Sequence, residues 1–531
     1  MTLIKFSLSF FILALVGLIS YAQPPSINWQ RCYGGSDLDF GTKVIEGYSN
    51  TIMLAGYKRS IDGDMIYSEG GGYDYYWFLL DSLGGIINSK TFGGIGDDFL
   101  HDLSKATVGN SILVGSSNSS ELAGIHGGFD VFVVKIGFGG NTIWEKCFGG
   151  SGDDIGYSVV NTHDSCFAIL GSTYSSDGDV AFNHGTGTDD YWLIKIDQSG
   201  NLLWEKTFGG SDLEDGSKII ETSDGGFLLC GTSFSSNGQV TGNHGSADYW
   251  CVKTDSLGNL QWEKSYGGSS IDALYNAIEV ENKFYMFGYQ DSQISGDISF
   301  NHVDTVGTAS IDAWLVCIDS IGNLLWERSY GGTVDDIGQD LTYYNNTLFL
   351  GCSSSSHDWD VTNLHSPSSE YWLLQTDMLG NIIWQNCYGG TSHEFLNSIC
   401  IANGNLYATG YALSNNGNVS GNHGDRDFWL LSLGLNFLIN NNNELKNTTD
   451  FTVYPNPANN FVTFSVEEGL TIDHIIIYDL IGKLVKKIAI DNEDYSIDVS
   501  DLEDGVYVLN IYTDDTTNLQ NKKILIINQK L

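Results

Sequence analysis

The stretch Trp204-Glu205-Lys206-Thr207-Phe208-Gly209-Gly210 decides the fold, because its closing aromatic-Gly-Gly signature occurs seven times along the chain. The seven glycine pairs are Gly34-Gly35, Gly93-Gly94, Gly149-Gly150, Gly209-Gly210, Gly267-Gly268, Gly331-Gly332 and Gly389-Gly390. Successive pairs are 59, 56, 60, 58, 64 and 58 residues apart. A period of this length indicates one supersecondary unit stacked on copies of itself, each burying a face that its neighbour covers.

One repeat, residues 153–210, reads as four short β segments at 156–162, 166–173, 191–197 and 202–208. Tight turns are expected at 163–165 and 198–201, and a long loop is expected at 174–190. In the following repeat the first turn contains Asp224-Gly225, a dipeptide typical of β-hairpins. Four antiparallel strands in such a unit predict one blade of a β-propeller.

A second mark gives the number of blades. An aromatic pair opens the third strand of each copy, with two imperfect copies, at Tyr76-Trp77, Val131-Phe132, Tyr191-Trp192, Tyr249-Trp250, Ala313-Trp314, Tyr371-Trp372 and Phe428-Trp429. The last copy leaves the pattern at Leu433-Gly434 without a fourth strand, whereas residues 27–33 read as a fourth strand with no repeat before it. We therefore expect an all-β, seven-bladed β-propeller over residues 23–436, closed by pairing of the N-terminal strand with the last blade.

The N-terminal sequence and the net charge limit the possible location and partners of the protein. Lys5, an apolar run over residues 6–19 and the small residues Ser20 and Ala22 predict a signal peptide over residues 1–22. No other apolar run is long enough to span a membrane, so we expect a soluble, exported protein. With 65 acidic against 24 basic residues the net charge is −41, which argues against nucleic acid and anionic lipid as partners.

The C-terminal part differs from the repeats. Residues 437–450 are rich in asparagine and are expected to form a linker. Residues 451–531 lose the period and show short alternating β patterns, which predict a small β-sandwich.

Three stretches of this last region resemble the signature stretches of the type A C-terminal sorting domain of the Bacteroidota type IX secretion system. They are Tyr454-Pro455-Asn456-Pro457-Ala458, Ile477-Tyr478-Asp479-Leu480-Ile481-Gly482-Lys483 and Leu502-Glu503-Asp504-Gly505-Val506-Tyr507-Val508-Leu509. We take as the sorting motif Tyr454, Pro455, Asn456, Pro457, Asp479, Gly482, Gly505 and Tyr507. The repeats also resemble propeller-like repeats with Trp-x-Lys-x-Phe-Gly-Gly signatures in cargo of that system.

The resemblance implies an Ig-like sandwich over residues 451–531 that the type IX secretion machinery recognises. It implies a route in two steps, in which the signal peptide directs export by the Sec pathway and the C-terminal domain directs passage across the outer membrane. The mature protein would then be released or attached to the cell surface.

The inter-blade links and the long loops are expected to share one face, which the sequence makes densely acidic through carboxylates such as Asp153, Asp154, Asp177 and Asp179. Oxygen ligands of this kind suit Ca²⁺. A residue repeated in every blade more often fixes its loop by accepting backbone N–H bonds, so a structural role is preferred and no cofactor is predicted. A recurring histidine is interpreted in the same way, as a structural cap, at His126, His184, His244, His302, His365 and His423.

Departures from the repeat are better candidates for a site. Trp359 is the one tryptophan of 13 outside the two recurrent tryptophan positions, and it lies in the loop His357-Asp358-Trp359-Asp360. The link into the last blade also departs, with His393-Glu394 where carboxylate pairs usually stand. An aromatic ring beside carboxylates can stack on a sugar and accept its hydroxyls, so the candidate ligand-binding residues are Trp359, His357, Asp358, Asp360, His393 and Glu394.

Two functions fit these observations. The first is an extracellular binding or scaffold module for a glycan or protein ligand on the long-loop face. The alternative is an extracellular glycan hydrolase that uses two face carboxylates. The chain contains no Gly-x-Ser-x-Gly elbow, no His-Glu-x-x-His motif and no phosphate-binding loop, which favours the binding module over an enzyme.

Overall fold

The structure is a computed structural model of the full chain. It describes residues 22–65, 71–106, 109–185, 187–303, 310–435, 452–454, 458, 460–465, 472–479, 484–489, 496–502, 505–513 and 519–526. The signal peptide up to residue 21 and the linker at 437–450 lie outside these residues. The chain divides into two compact units, Met1–Asn436 and Phe437–Leu531.

The first unit consists of seven antiparallel sheets of four strands each, so the prediction of an all-β, seven-bladed β-propeller is confirmed. Six blades follow the chain in order. They are β2 (Asp39–Glu46), β3 (Ile52–Lys58), β4 (Asp74–Leu80) and β5 (Ile86–Phe92); β6 (Asp98–Lys105), β7 (Ser111–Ser117), β8 (Asp130–Ile136) and β9 (Thr142–Phe148); β10 (Asp154–Asn161), β11 (Phe167–Thr173), β12 (Asp190–Ile196) and β13 (Leu202–Phe208); β14 (Glu214–Glu221), β15 (Phe227–Ser233), β16 (Asp248–Thr254) and β17 (Leu260–Tyr266); β18 (Asp272–Val280), β19 (Lys283–Gln290), β20 (Asp312–Asp319) and β21 (Leu324–Tyr330); β22 (Asp336–Tyr344), β23 (Thr347–Ser354), β24 (Glu370–Thr376) and β25 (Ile382–Tyr388).

The seventh blade joins the two ends of the propeller. Its strands are β26 (Glu394–Ala402), β27 (Asn405–Ala412), β28 (Asp427–Gly434) and, at the outer edge, β1 (Ile27–Tyr33). β1 runs antiparallel to β28, with Cys32 opposite Trp429. The Trp429 indole N–H donates to Oε1 of Gln30 at 2.8 Å. The displaced strand that the sequence identified therefore supplies the missing fourth strand.

The first strand of each blade lies at the axis, because residues of all seven first strands line one central cavity of about 100 Å³. Each first strand carries a β-bulge at the same repeat position, as between Gly156 and Ser158 of β10. Bulges increase the local twist of a strand. The strands predicted in residues 153–210 agree with the observed ones to within two residues.

The tryptophans pack the blades together, as their repetition predicts. The third-strand tryptophans are fully buried; for example, Trp192 has no exposed surface. Three fourth-strand tryptophans, Trp29, Trp144 and Trp262, bridge to the following blade; the indole N–H of Trp144, for example, donates to the carbonyl of Gln198 at 3.0 Å. Burying a large aromatic contributes about 1.5–3 kcal/mol.

The second unit contains two sheets. One has three strands, β29 (Thr452–Tyr454), β30 (Phe461–Ser465) and β33 (Ser496–Asp498), and the other has four, β31 (Ile472–Asp479), β32 (Leu484–Ala489), β34 (Gly505–Thr513) and β35 (Leu519–Ile526). Buried Val462 and Ile497 from the first sheet and Ile477 and Leu509 from the second belong to one apolar core. The Ig-like character of this unit stays a prediction.

The predicted sorting motif is distributed over these strands. Tyr454 ends β29, Asp479 ends β31, and Gly505 and Tyr507 lie in β34. Pro455, Asn456, Pro457 and Gly482 lie outside the described residues. Within the part of the chain that the structure describes, we find no helix of the length and apolarity needed to cross a membrane.

Candidate functional site

The Gly-Gly signature forms a repeated polar contact at the long-loop face. In every blade the second glycine donates its N–H to a carboxylate four residues later, which begins the first strand and has no exposed surface. The seven bonds join Gly35 to Asp39 (2.9 Å), Gly94 to Asp98 (2.8 Å), Gly150 to Asp154 (2.7 Å), Gly210 to Glu214 (2.8 Å), Gly268 to Asp272 (2.6 Å), Gly332 to Asp336 (2.7 Å) and Gly390 to Glu394 (2.8 Å).

The first glycine of each pair has no room for a side chain. A Cβ on Gly149 would lie 2.6 Å from Oδ1 of Asp130 and 2.7 Å from Oδ2 of Asp154. Asp154 begins the first strand of its blade, and Asp130 begins the third strand of the preceding blade. The aromatic-Gly-Gly link therefore passes between two buried carboxylates, which explains why glycine recurs there.

Burial raises the pKa of these carboxyl groups, although N–H and hydroxyl donors act in the opposite direction. The pKa of Asp39, Asp98 and Asp272 is raised to about 6, and that of Asp336 to about 7. Desolvation disfavours the ionised form of a carboxyl group, and each of these groups lies in the blade interior.

The recurring histidines cap the second set of buried carboxylates. In six blades the histidine ring Nδ1 contacts the carboxylate that begins the third strand. The pairs are His126–Asp130 (3.2 Å), His184–Asp190 (2.7 Å), His244–Asp248 (2.8 Å), His302–Asp312 (2.9 Å), His365–Glu370 (2.8 Å) and His423–Asp427 (2.7 Å). The backbone N–H of the same histidine also donates to that carboxylate, as for His184 at 2.6 Å. Among the described residues no group of three His, Cys, Asp or Glu side chains is arranged to hold a metal ion.

We call the contacts of the Gly-Gly pairs and the histidines with the two sets of buried carboxylates the repeated frame. Trp359 departs from this repeated pattern. Its side chain is 61% exposed, in contrast to the buried third-strand tryptophans. Its φ is +55°, in the left-handed region that favours glycine. Five other blades place a glycine at the equivalent position, with φ between +56° and +69°: Gly63, Gly178, Gly238, Gly296 and Gly417.

The exposed Trp359 ring packs against two side chains of the long loop of the fifth blade, the exposed Phe300 and the buried His302. It meets His302 edge-to-face with ring centroids 5.2 Å apart, and Phe300 in the same manner at 6.5 Å. Phe300 is itself 45% exposed. Nε2 of the His302 imidazole lies 3.7 Å from Oδ2 of Asp360. We name Phe300, His302, Trp359 and Asp360 the Trp359 platform.

The other predicted site residues have different surroundings. Asp358 accepts the backbone N–H and the hydroxyl of Thr333, each at 2.9 Å, and so anchors the loop. His357 is exposed. His393 is exposed and its Nδ1 accepts the backbone N–H of Ser369 at 3.4 Å. Glu394 is fully buried and accepts the N–H of Gly390, so it occupies the position equivalent to that of Asp154. Trp359 and Asp360 lie in the long loop of the sixth blade, whereas His393 and Glu394 lie at the link into the seventh blade.

A further asymmetric region, which sequence reasoning missed, surrounds the axis on the long-loop face. The backbone carbonyl of the residue before each third strand always has the same role. It accepts the backbone N–H of the Asp or Glu residue that begins the next blade, at 2.6–2.8 Å. The side chain of the residue before the third strand differs in every blade: Tyr73, Phe129, Asp189, Ala247, Ile311, Ser369 and Arg426. The available signal was a variable position directly before a carboxylate that recurs in all seven repeats.

Comparisons with known proteins bear on the two units separately. Residues 452–528 match the model of the secretion system C-terminal sorting domain. Over 343 residues the chain is 22% identical to the regulatory protein FlaEY of Caulobacter vibrioides, a match that covers 61% of this chain and 34% of that protein. The chain therefore spans about a third of that relative's length.

Similar solved structures include Sqt1 from Chaetomium thermophilum, at 9% identity and a TM-score of 0.40, covering 78% of this chain and 99% of that chain. They also include PorZ, an essential bacterial surface component of the type-IX secretion system of Porphyromonas gingivalis, at 12% identity and a TM-score of 0.27, covering 91% of this chain and 64% of that chain. The family match and the sheet topology together show that this chain carries a seven-bladed β-propeller followed in sequence by a type IX secretion C-terminal sorting domain.

Proposed function

We propose that the protein is an extracellular binding module whose propeller binds a carbohydrate on the Trp359 platform after export by the type IX system. The observation that carries the proposal is the left-handed backbone of Trp359, at a position where other blades use glycine. A residue with a Cβ is less stable in this conformation by about 1–2 kcal/mol. A strained residue of this kind points to function when its side chain does not repay the strain by burial.

The chemistry of the platform suits a sugar ring. The exposed indole offers a flat apolar face, on which the C–H face of a pyranose can stack. Asp358 and Asp360 flank Trp359 in the chain, and their carboxylate oxygens are acceptors that can receive the hydroxyls of the same sugar. Because the chain carries a net charge of −41, a neutral sugar is favoured at this platform over an anionic one.

The substitution Trp359→Gly tests this proposal, because it restores the residue that five other blades use. We expect the free energy of unfolding to change by no more than about 1 kcal/mol, since relief of the left-handed strain offsets the added freedom of glycine in the unfolded chain. Binding on a glycan array, measured with the mature full-length chain, should be lost.

The matched control is Phe182→Ala. Phe182 is 58% exposed and meets His184 edge-to-face at 4.8 Å, so it is equivalent to Phe300 but lies in a blade without the tryptophan. This variant should keep glycan binding.

Glycan binding that survives Trp359→Gly would refute the platform as the binding site. Binding of a protein but of no glycan would show that the ligand is a peptide and not a carbohydrate. Release of shortened glycans from the array would instead support the hydrolase.

The export route has its own test. Removing residues 437–531 deletes the whole segment that matches the sorting domain. In the native host we expect the truncated protein to accumulate in the periplasm, whereas the full chain reaches the medium or the cell surface. Cell fractionation and protease accessibility distinguish the two locations, and normal surface exposure of the truncated chain would contradict the route.

A further inference from the structure

The region around the axis on the long-loop face holds a second, chemically different surface. At the seventh, first and second blades it is lined by aromatic residues and an arginine. We name this surface the aromatic–arginine sector; it comprises Phe40, Tyr57, Tyr73, Phe99, Tyr411 and Arg426. At the third and fourth blades the corresponding positions hold Asp189 and Asp215.

The side chain of Arg426 is not required for the contact between neighbouring blades that this position makes. Arg426 joins its neighbouring blade through its backbone carbonyl, which accepts the N–H of Asp39 at 2.7 Å. Alanine performs the same task at position 247 and serine at position 369. The frame therefore leaves the side chain at this position free to vary.

The aromatic rings of the sector contact one another across three blades. Phe40 and Tyr57 stack with centroids 4.9 Å apart, and Phe40 meets Tyr411 edge-to-face at 5.2 Å. Tyr57 and Tyr73 each lie 5.2 Å from Phe99. All of these rings are half-buried, so each keeps an edge or face open to solvent.

The guanidinium group of Arg426 lies over these rings, and at least one of its hydrogen-bond donors has no partner within the described part of the chain. Its guanidinium carbon lies 5.4 Å from the ring centre of Phe40 and 5.1 Å from that of Tyr411. Its Nε is buried and has no hydrogen-bond partner among the described residues. By contrast, Arg59, over the ring of Tyr73, is paired with Asp37 at 3.6 Å. The Nε of Arg426 is closed to solvent, but Arg426 as a whole is partly exposed, so an incoming acceptor can reach the side chain at its exposed part.

A carboxylate fits this guanidinium best, because two parallel N–H···O bonds match the geometry of the two groups. The adjoining rings suit the apolar face of a sugar. A polyanion is disfavoured, since the chain as a whole carries a net charge of −41. We propose that the aromatic–arginine sector is a second binding site, which takes a sugar unit bearing a single carboxylate, with Arg426 receiving the carboxylate and the aromatic rings receiving the sugar face.

The test compares methyl β-D-glucuronide with methyl β-D-glucoside, two probes that differ only in the carboxylate at C6. Dissociation constants are measured by NMR titration with the mature full-length protein. We expect the glucuronide to bind at least about tenfold more tightly, which corresponds to a difference of about 1.4 kcal/mol. The Arg426→Gln variant should lower this preference to less than about twofold, because the charged partner is gone.

Two further variants separate recognition from folding. Arg426→Lys keeps the charge but not the paired donors, and should retain an intermediate preference. Arg328→Gln removes an exposed arginine of the outermost strand β21 and should leave the preference unchanged. Trp359→Gly should also leave it unchanged, so failure at the Trp359 platform does not affect this site.

The proposal is overturned if the two probes bind equally, or if the preference survives Arg426→Gln. It is also overturned if N-acetyl-glutamate amide displaces the glucuronide at equal concentration, because the site would then recognise a carboxylate on a peptide.

Discussion

At the scale of the residue, the propeller depends on glycines that leave space for carboxylates. Gly149 lies between Asp130 and Asp154, and the following Gly150 donates its N–H to Asp154. The recurrence of glycine thus follows from the polar groups on either side of it. At Gly149 it does not follow from the backbone conformation, since the φ of this residue is not positive.

The substitution Gly149→Ala tests this relation. Its Cβ would lie 2.6–2.7 Å from two buried carboxylate oxygens, so we expect the free energy of unfolding to fall by about 1–3 kcal/mol. Urea denaturation measures the change. The control is Gly139→Ala in an exposed turn, where a Cβ meets no atom within 4 Å, and its effect should stay within about 0.5 kcal/mol. Equal effects of the two substitutions would contradict the steric explanation.

At the scale of the element, β1 is the strand on which closure depends. It covers the edge of β28 and carries Gln30, whose side chain accepts the indole N–H of buried Trp429. Without β1 the seventh blade would expose an unpaired edge, which is a site for association between chains.

Deletion of residues 23–33 should therefore lower the melting temperature and promote oligomers. A synthetic peptide of residues 26–34 should restore the monomer and part of the lost stability by refilling the edge of β28, as judged by calorimetry and light scattering. A peptide of the same composition in scrambled order should not. A deletion variant that remains monomeric with an unchanged melting temperature would show that β1 is dispensable.

The elements were more predictable than the site. Strands such as β13 (Leu202–Phe208) were correct from sequence, because alternation and turn residues are local signals and the repeat averages them over seven copies. Trp359 could be identified because it breaks the repeat.

The aromatic–arginine sector was missed, because contacts such as that of Phe40 with Tyr411 join residues of different blades that are far apart in the sequence. Glu394 was interpreted as a departure, yet it fills the same place as Asp154 because a longer side chain reaches the same donors.

At the scale of the whole molecule, the two sets of buried carboxylates couple stability to pH. The pKa of Asp39, Asp98, Asp130 and Asp272 is raised to about 6 by burial, and that of Asp336 to about 7. In the unfolded chain an aspartate titrates near pH 3.9. Between about pH 4 and 7 these carboxyl groups therefore bind more protons in the folded than in the unfolded protein, and their contribution to stability rises as the pH falls through this window.

We expect the urea midpoint to be higher at pH 5.5 than at pH 7.5. Below about pH 4 the gain should end, because the unfolded carboxylates are then protonated too. Asp224 has the opposite effect below about pH 4. Burial raises its pKa, but hydrogen bonds from Thr222 and Gly226 and the charge of Lys253 outweigh burial and lower the pKa to about 2, so its contribution to stability falls as the pH falls. A midpoint that rises from pH 5.5 to 7.5 would show that the N–H donors outweigh burial and keep these groups ionised.

The closure by β1 also makes this propeller a ring without a terminal repeat. Linear repeat proteins fray at their ends, where a unit has only one neighbour. Here each of the seven blades has two neighbours, and the described chain enters and leaves the ring within one sheet, at β1 and β28. The seven sheets should therefore not depend on where the backbone is interrupted. If a short turn joined residues 27 and 434 and the chain were opened at the exposed turn after Asp255, the same seven sheets should form.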